Sequence, residues 1–574
     1  MRSEYQNVFC YSSLTHNYKM EDVKKFAPEF EQLGMSQEDA HLVAPFFTNL
    51  DDSVYGITFL PPEVIGALCS RTSRAKDDLR LVFLKEFMKP FLGGNDDYAK
   101  DLSALVTFLH EHPVEKIFAN PKARDFYITW LAQFGDDSIA QMAGAHLVFG
   151  ALSQIAIKHI EDMRVGIAPI EKSTRYVDYS SKVNGKYRYY QDPVLADIGL
   201  ADEYRQAMDN LFETYTALMQ EYMVFLKAKY PAEEDRVLKT KAFDVLRLIL
   251  PNSTVSQVAF FSNGQSFEYM VNRSLDHVLG EIRWAAQRSF EELSKFIPAF
   301  LRRVDTEPAK AYRQYLSGKS TRVREILRAM NWQEEAPLVN GPAVKLLEFD
   351  ADAENKIIAG LVFKETNEPF DVALGKVHAL TQDQKEEILK AALKDRTQKY
   401  YKVPRAFENA FMRFEITMNI GAWRDLHRHR MHTQERQLFT IANGFDIPPE
   451  LKEAGLDARY ISAIQKIEEL YKKVAVHNVD LAQYCTTMAH RVRFQQYQNF
   501  RAFFWEAELR TIAQGHPDYR KIEHDKIKLV QPIYPLLSKY LLVDMGDYDF
   551  ARRGDTKSIQ RKEEELKKYF TDKK

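Results

Sequence analysis

The segment Leu426 to Leu438, LHRHRMHTQERQL, carries three histidines and three arginines within thirteen residues. Arginine offers a flat, permanently charged fork of donors matched to phosphate or carboxylate, and histidine adds a donor whose charge changes near neutral pH. A helix continued from Arg424 to His432 would bring Arg424, Arg428 and His432 onto one face. Such a face suits an anionic cofactor or a nucleotide. Two other readings stay open. One is a solvated basic helix end, which the macrodipole favours. The other is a three-histidine metal site, which the neighbouring arginines oppose by repelling the cation.

A second constellation is Ile170 to Tyr176, IEKSTRY. The hydroxyls of Ser173 and Thr174 and the fork of Arg175, beside backbone amides in a turn, suit a phosphate dianion. An ordinary capped turn accounts for the same residues. Arg247, in LRLILP, ends an apolar stretch, so it must meet a counter-charge or reach water along its stem. Cys485 has Tyr484 beside it and no base nearby in sequence, the pattern of a buried structural thiol.

Composition limits what these groups serve. With 79 basic and 81 acidic side chains, the net charge of -2 draws the whole molecule to neither nucleic acid nor an anionic membrane. The chain also lacks a basic stripe interleaved with aromatics, which weighs against a non-enzymatic nucleic-acid-binding protein. Cys10, Cys69 and Cys485 are far apart and form no CxxC pair, so the expectation is a reducing, cytoplasmic setting without disulfides. The opening MRSEYQNVFCYSS has no apolar signal core. The longest apolar run, Ala143 to Ile157, is too short to span a membrane and reads as a buried helix.

The elements that must position these groups recur along the chain. Gly199, Leu200, Tyr204, Ala207 and Tyr215 are matched by Gly455, Leu456, Tyr460, Ala463 and Tyr471 at one offset of 256, within amphipathic helical patterns. Later, Ser262-Asn263-Gly264 corresponds to Gln498-Asn499-Phe500, and Glu281-Ile282-Arg283 to Asp518-Tyr519-Arg520. The order is preserved, which predicts two homologous halves, 1-305 and 341-545. A charged connector, 306-340, would end at the Asn340-Gly341-Pro342 turn signal, and a charged tail, 546-574, reads as a solvated helix. Ala343 to Phe349 and Arg413 to Met418 alternate as strands among longer helical patterns, so the class is α+β with helix in the majority.

Arg428-His429-Arg430 behind an amphipathic segment resembles the RHR signature of the flavin-dependent thymidylate synthases. Glu171-x-Ser173-x-Arg175-Tyr176 resembles the ExSxRY end of that signature, which family members carry in one piece. The family's ARxVLP arginine matches Arg247, with Gln483 in its place in the second half. Its NxR pair matches Asn499 and Arg501, against Asn263 and Gln265 in the first half. Its final arginine matches Arg510 in Glu508-Leu509-Arg510, against Ser274 beside Arg273. Glu408 resembles a family glutamate near the flavin, with Gln141 as its rough first-half counterpart. Lys158 to Arg164, KHIEDMR, retains a degenerate RHR of open register.

The resemblance covers roughly 50-300 and 341-535 and implies two fused halves, each a small antiparallel sheet packed with long helices. It implies reductive methylation of dUMP to dTMP with methylenetetrahydrofolate, FAD and NADPH, in composite sites of a homodimer that forms a tetramer-like particle. Arg428, His429, Arg430, Glu408, Asn499, Arg501 and Asn263 would hold the cofactor. Glu171, Ser173, Thr174, Arg175 and Arg247 would hold the nucleotide, with Arg510 polarising the uracil and His429 beside the chemistry. The split motifs also fit the alternative, a paralogue with altered catalysis.

Overall fold

The structure, a computed structural model, describes residues 20-92, 97-113, 138-142, 144-332, 341, 343-551 and 556-571, together with 122, 125, 126 and 129. It contains two four-stranded antiparallel sheets of identical topology. The first has the order β1 (Val54–Ile57), β2 (Gly144–Ser153), β4 (Val255–Asn263), β3 (Ile167–Glu171). The second runs β5 (Ala343–Phe349), β6 (Phe411–Asn419), β8 (Arg491–Asn499), β7 (Thr433–Arg436). The chain is α+β, as its alternating and helical stretches predict, and the strands expected at Ala343 and Arg413 are β5 and β6.

Ala143 to Ile157 corrects the helical expectation. Residue 143 lies outside the described residues, Gly144–Ser153 is β2, and a helix begins only at Gln154. β2 is a central strand, paired on one side with β1 and on the other with β4, and most of its residues are buried. A strand buried on both faces has no alternation to distinguish it from a buried helix.

Matching caps repeat the duplication in atomic detail. Ser153 accepts from the amide of Ala156 to start Gln154–Glu161, and Asn419 accepts from Ala422 to start Ile420–Leu426. Asn263 and Asn499 cap Gly264–Leu275 and Phe500–Arg510 in the same way. Each side-chain oxygen satisfies an amide that the first helical turn leaves without a partner. Ahead of the long helices Ala201–Lys229 and Asp457–His477, Gly199 (φ 73°) and Gly455 (φ 70°) take the left-handed conformation, which a side chain would strain.

Two compact units result, and each borrows from the other half of the sequence. Leu218–Leu248, from the first half, belongs to the second unit, whereas Arg459–Thr487, from the second half, belongs to the first. Within the second unit the core gathers Phe407, Phe414, Trp423, Phe494, Phe503 and Phe504, all buried. Burial of each such ring stabilises the unit by roughly 1.5–3 kcal/mol. The connector contains the helix Glu307–Ala329, started by Thr306, while Asn340 and Pro342 of its expected turn lie outside the described residues. Among the described residues no helix is long and apolar enough to cross a membrane. Cys69 and Cys485 are free and buried, and Cys10 lies outside the described residues.

Candidate functional site

The basic segment is not helical beyond its first residues, which corrects the shared face expected for Arg424, Arg428 and His432. The helix ends at Leu426, His427 caps it, and by Thr433 the chain is extended in β7, paired with β8. Sheet pairing requires an extended backbone, so the RHR residues form the turn between helix and strand. Arg424 is buried, with Nη1 3.4 Å from the sulfur of Met488. Arg428 is exposed, His429 buried and Arg430 half-buried.

That turn delivers His429 to Arg510, the last residue of Phe500–Arg510. Arg510 Nε donates to His429 Nε2 at 2.7 Å. An acceptor at Nε2 makes the imidazole neutral with its proton on Nδ1. Burial, helped by the charges of Arg510 and Lys526, pushes His429 down to about 3, so it stays neutral throughout the physiological range. Beyond His429, at a ring separation of 6.5 Å, lies His432.

A cavity of about 260 Å³ adjoins this turn, lined by Glu408, Asn499, Arg501, Met431, Trp505 and the basic groups Arg396, Lys399, Lys402 and Arg405. Arg501 Nη1 donates to Glu408 Oε1 at 3.0 Å and Nε to the carbonyl of Val403 at 3.1 Å. Lys402 lies 5.4 Å from the centre of the Trp505 ring. Three residues assigned to the cofactor by resemblance thus meet in one cavity with an aromatic wall, a set that fits a flat anionic ligand such as flavin. Among the described residues no group of three His, Cys, Asp or Glu side chains could hold a metal ion.

The first unit repeats this geometry without its charges. Gln265, two residues past the capping Asn263, stands where Arg501 follows Asn499, and its Oε1 accepts from Gln141 Nε2 at 3.0 Å. A neutral amide pair replaces the Arg501–Glu408 ion pair. At the position of Arg510 stands Ser274, whose hydroxyl lies 3.0 Å from His159 Nε2. Counted from the caps Ser153 and Asn419, Asp162-Met163-Arg164 stands opposite Arg428-His429-Arg430, but the first helix is one residue longer, and counting back from the paired positions Glu171 and Arg436 puts Met163-Arg164-Val165 there instead.

The IEKSTRY constellation belongs to the first unit. Glu171 is buried and paired with the buried Lys158. Thr174 and Arg175 are buried, Ser173 is half-buried, and the hydroxyl of Ser173 accepts from the Arg175 amide at 3.2 Å. Lys172 is held by the carbonyls of Lys76 and Asp77, and burial lowers it to about 8. Sheet register locates the corresponding place in the second half. Glu171 pairs across the sheet with Val258 and Arg436 with Phe494, equivalent positions five residues before the two capping asparagines. A cation therefore occupies the glutamate's place and lies 4.3 Å over the ring of Phe439.

Arg247 belongs to the second unit although it comes from the first half. Its Nη2 is 3.8 Å from Asp425 Oδ2, three residues before the RHR turn. This is the counter-charge that an arginine at an apolar helix end requires. Gln483, its second-half counterpart, belongs to the first unit and donates to the carbonyl of Asp480 at 3.1 Å.

Behind His432 lies a network that sequence reading missed. Gln496 Nε2 is 3.0 Å from His432 Nε2 and donates to Glu506 Oε2 at 2.6 Å. Lys526 Nζ donates to Glu506 at 2.9 Å and to Glu523 at 3.1 Å. Glu523 and Lys526 stand three apart on the helix Pro517–Val530, the one local signal available. Nothing in sequence ties them to Glu506 or Gln496, which lie on other elements.

Comparison with known proteins agrees with this duplicated architecture. The model of the family described as thymidylate synthase complementing protein matches residues 98–299 and again 346–536. A UPF0159 protein of Chlamydia muridarum is 34% identical over 90% of this chain and 97% of its own length. Another, from Chlamydia pneumoniae, is 33% identical over 88% and 94%. Among solved structures, the UMP/dUMP methylase PolB from Streptomyces cacaoi, bound with 5-Br dUMP, aligns with a TM-score of 0.28 at 11% identity, covering 35% of this chain and 96% of that one. With the family's model matched twice in order, and a sheet of the same topology with matching capped helices in each unit, the chain belongs to the thymidylate synthase complementing protein family as a tandem duplication.

Proposed function

We propose that this chain converts dUMP to dTMP with methylenetetrahydrofolate as carbon donor, FAD as redox carrier and NADPH as reductant. The observation that carries the reading is that, in the second unit, Glu408, Asn499 and Arg501 line one cavity with Met431, the residue that follows the RHR turn whose His429 accepts from Arg510. Bound flavin would supply the electron transfer between NADPH and the carbon being reduced. Arg501, Asn499 and Glu408 would hold the cofactor, with Arg428, His429 and Arg430 at its edge. Fixed donors of this kind stabilise negative charge without reorganisation. Arg510, held by neutral His429, would polarise the uracil carbonyl. Arg247, and the Ser173, Thr174 and Arg175 group, with Glu171 fixing its strand end, would bind the nucleotide phosphate. The particle is proposed as a homodimer in which complementary motifs complete each site.

A second reading, a flavin- and nucleotide-binding paralogue without methyl transfer, draws on the neutral Gln141–Gln265 pair and on Ser274, which leave the first unit without the charged set. Release of label from C5-tritiated dUMP, assayed with NADPH and methylenetetrahydrofolate on a yellow purified protein, separates the two. Label release and dTMP formation are expected. A yellow protein that releases none is the paralogue, and a colourless one that takes up no flavin overturns both.

A further inference from the structure

Glu523, Lys526 and Glu506 are fully buried, and Gln496 joins them to His432 as a continuous chain of hydrogen bonds across three elements. One ammonium serves two carboxylates, so the cluster carries net negative charge when both are ionised. One oxygen on each carboxylate, Glu506 Oε1 and Glu523 Oε2, is buried without a hydrogen-bond partner among the described residues. An ionised oxygen in that state is costly, and a proton on one of the two carboxyls removes the cost.

The two acids differ in surroundings. Burial favours protonation of both and is the largest single influence on Glu506, but the charge and hydrogen bond of the Lys526 ammonium, together with the histidine side, outweigh it and the carboxyl is held low. For Glu523 burial dominates, reinforced by the charge of Glu506 and opposed by Lys526 and Arg510, and the carboxyl rises to about 7. The groups that face Glu523 are thus Lys526 on its own helix and Glu506 and Arg510 on Phe500–Arg510. Gln496 on β8 carries no charge, and His429 and His432 bear on the cluster through Glu506.

We propose that Glu523 is a positioning residue for the reacting pair: by gaining or losing a proton it switches the charge of the Lys526–Glu506 cluster, and the Gln496–His432 link passes the change to His429 and Arg510. The balance is one proton exchanged with solvent at Glu523, with no bond made or broken elsewhere. Catalytic consequence rests on the proposed role of His429 and Arg510, but the coupling itself belongs to the protein alone.

The test uses the full-length chain with 15N-labelled histidine and no flavin or dUMP, with the His429 ring resonances assigned by their loss in H429Q. His429 itself stays neutral, so a transition near pH 7 that depends on Glu523 reports the cluster rather than the ring's own titration or that of His432. A shift centred near pH 7 is expected in the wild type, abolished in E523Q and retained with a moved midpoint in E523D. A flat wild-type profile, or the same transition in E523Q, overturns the proposal. Should E523Q fail to fold, Q496L keeps Glu523 and cuts its link. A severalfold smaller shift supports the relay, and an unchanged one overturns it. Failure of the synthase reading shows instead as absent label release, so the two failures are distinguishable.

Discussion

Arg510 Nε donates to Nε2 of a buried, neutral His429 at 2.7 Å, so the direction of the guanidinium fork is dictated by the RHR turn 81 residues earlier in the chain. Replacing Arg510 by Lys keeps the charge and loses the planar fork. Turnover at saturating dUMP should fall by about 10²–10³-fold, the loss typical of one preorganised donor. H429Q should fall comparably, with melting temperatures near that of the wild type. Steady-state dTMP formation checks both.

The Arg501–Glu408 pair is about one-third exposed, so it contributes only about 0–1 kcal/mol to stability. The double substitution E408Q/R501Q recreates the Gln141–Gln265 pair of the first unit and should therefore fold normally. It should nevertheless retain flavin more weakly, by about 2–4 kcal/mol. The ratio of flavin absorbance to protein after gel filtration, together with a melting curve, measures both effects.

Arg175→Ala and Arg247→Ala should each raise the dUMP requirement, by about 2–4 kcal/mol where the phosphate contact is desolvated, while flavin content stays constant. Equilibrium dialysis with dUMP is the check. Unchanged dUMP affinity in R175A would remove that arginine from the phosphate site.

Gly421 leaves room for the borrowed segment. A methyl group at this position would meet Leu248 Cδ2 at 2.7 Å, and Leu248 is buried beside Arg247. Gly421→Ala should destabilise the second unit by about 1–3 kcal/mol through overpacking. L248A in the same chain should restore part of that loss, a coupling that a double-mutant cycle by chemical denaturation would reveal.

Glu281 in the first unit accepts from the Ser153 amide and hydroxyl and from the Tyr484 hydroxyl at 2.6–2.7 Å, yet burial raises it to about 7. Its ordinary value is 4.5, so the folded state holds a proton that the unfolded state has released. The stability contribution is complete below pH 4.5 and is lost as pH rises through 7, about 3 kcal/mol in all. Glu281→Gln should flatten the decline in melting temperature between about pH 5 and 8.

Periodicity and turn signals were enough to find the long helices, the strands β5 and β6 and the repeated order of elements, because those features depend on neighbours in the chain. β2 escaped because burial on both faces erased its alternation. Arg436 could be set against Glu171 only through cross-strand register, and the Gln141–Gln265 pair joins residues 124 positions apart.

The sequence by itself determined which charged and hydrogen-bonding groups the chain possesses and that each half holds a different subset, since residue type and order are local properties. Tertiary structure alone decided that Arg247 leaves its own half to face Asp425, that the RHR turn aims His429 at Arg510, and that Glu523 shares Lys526 with Glu506. Those outcomes depend on burial. Once water is excluded, a cation or carboxylate must take its partner from whichever element packs against it, however distant in the chain.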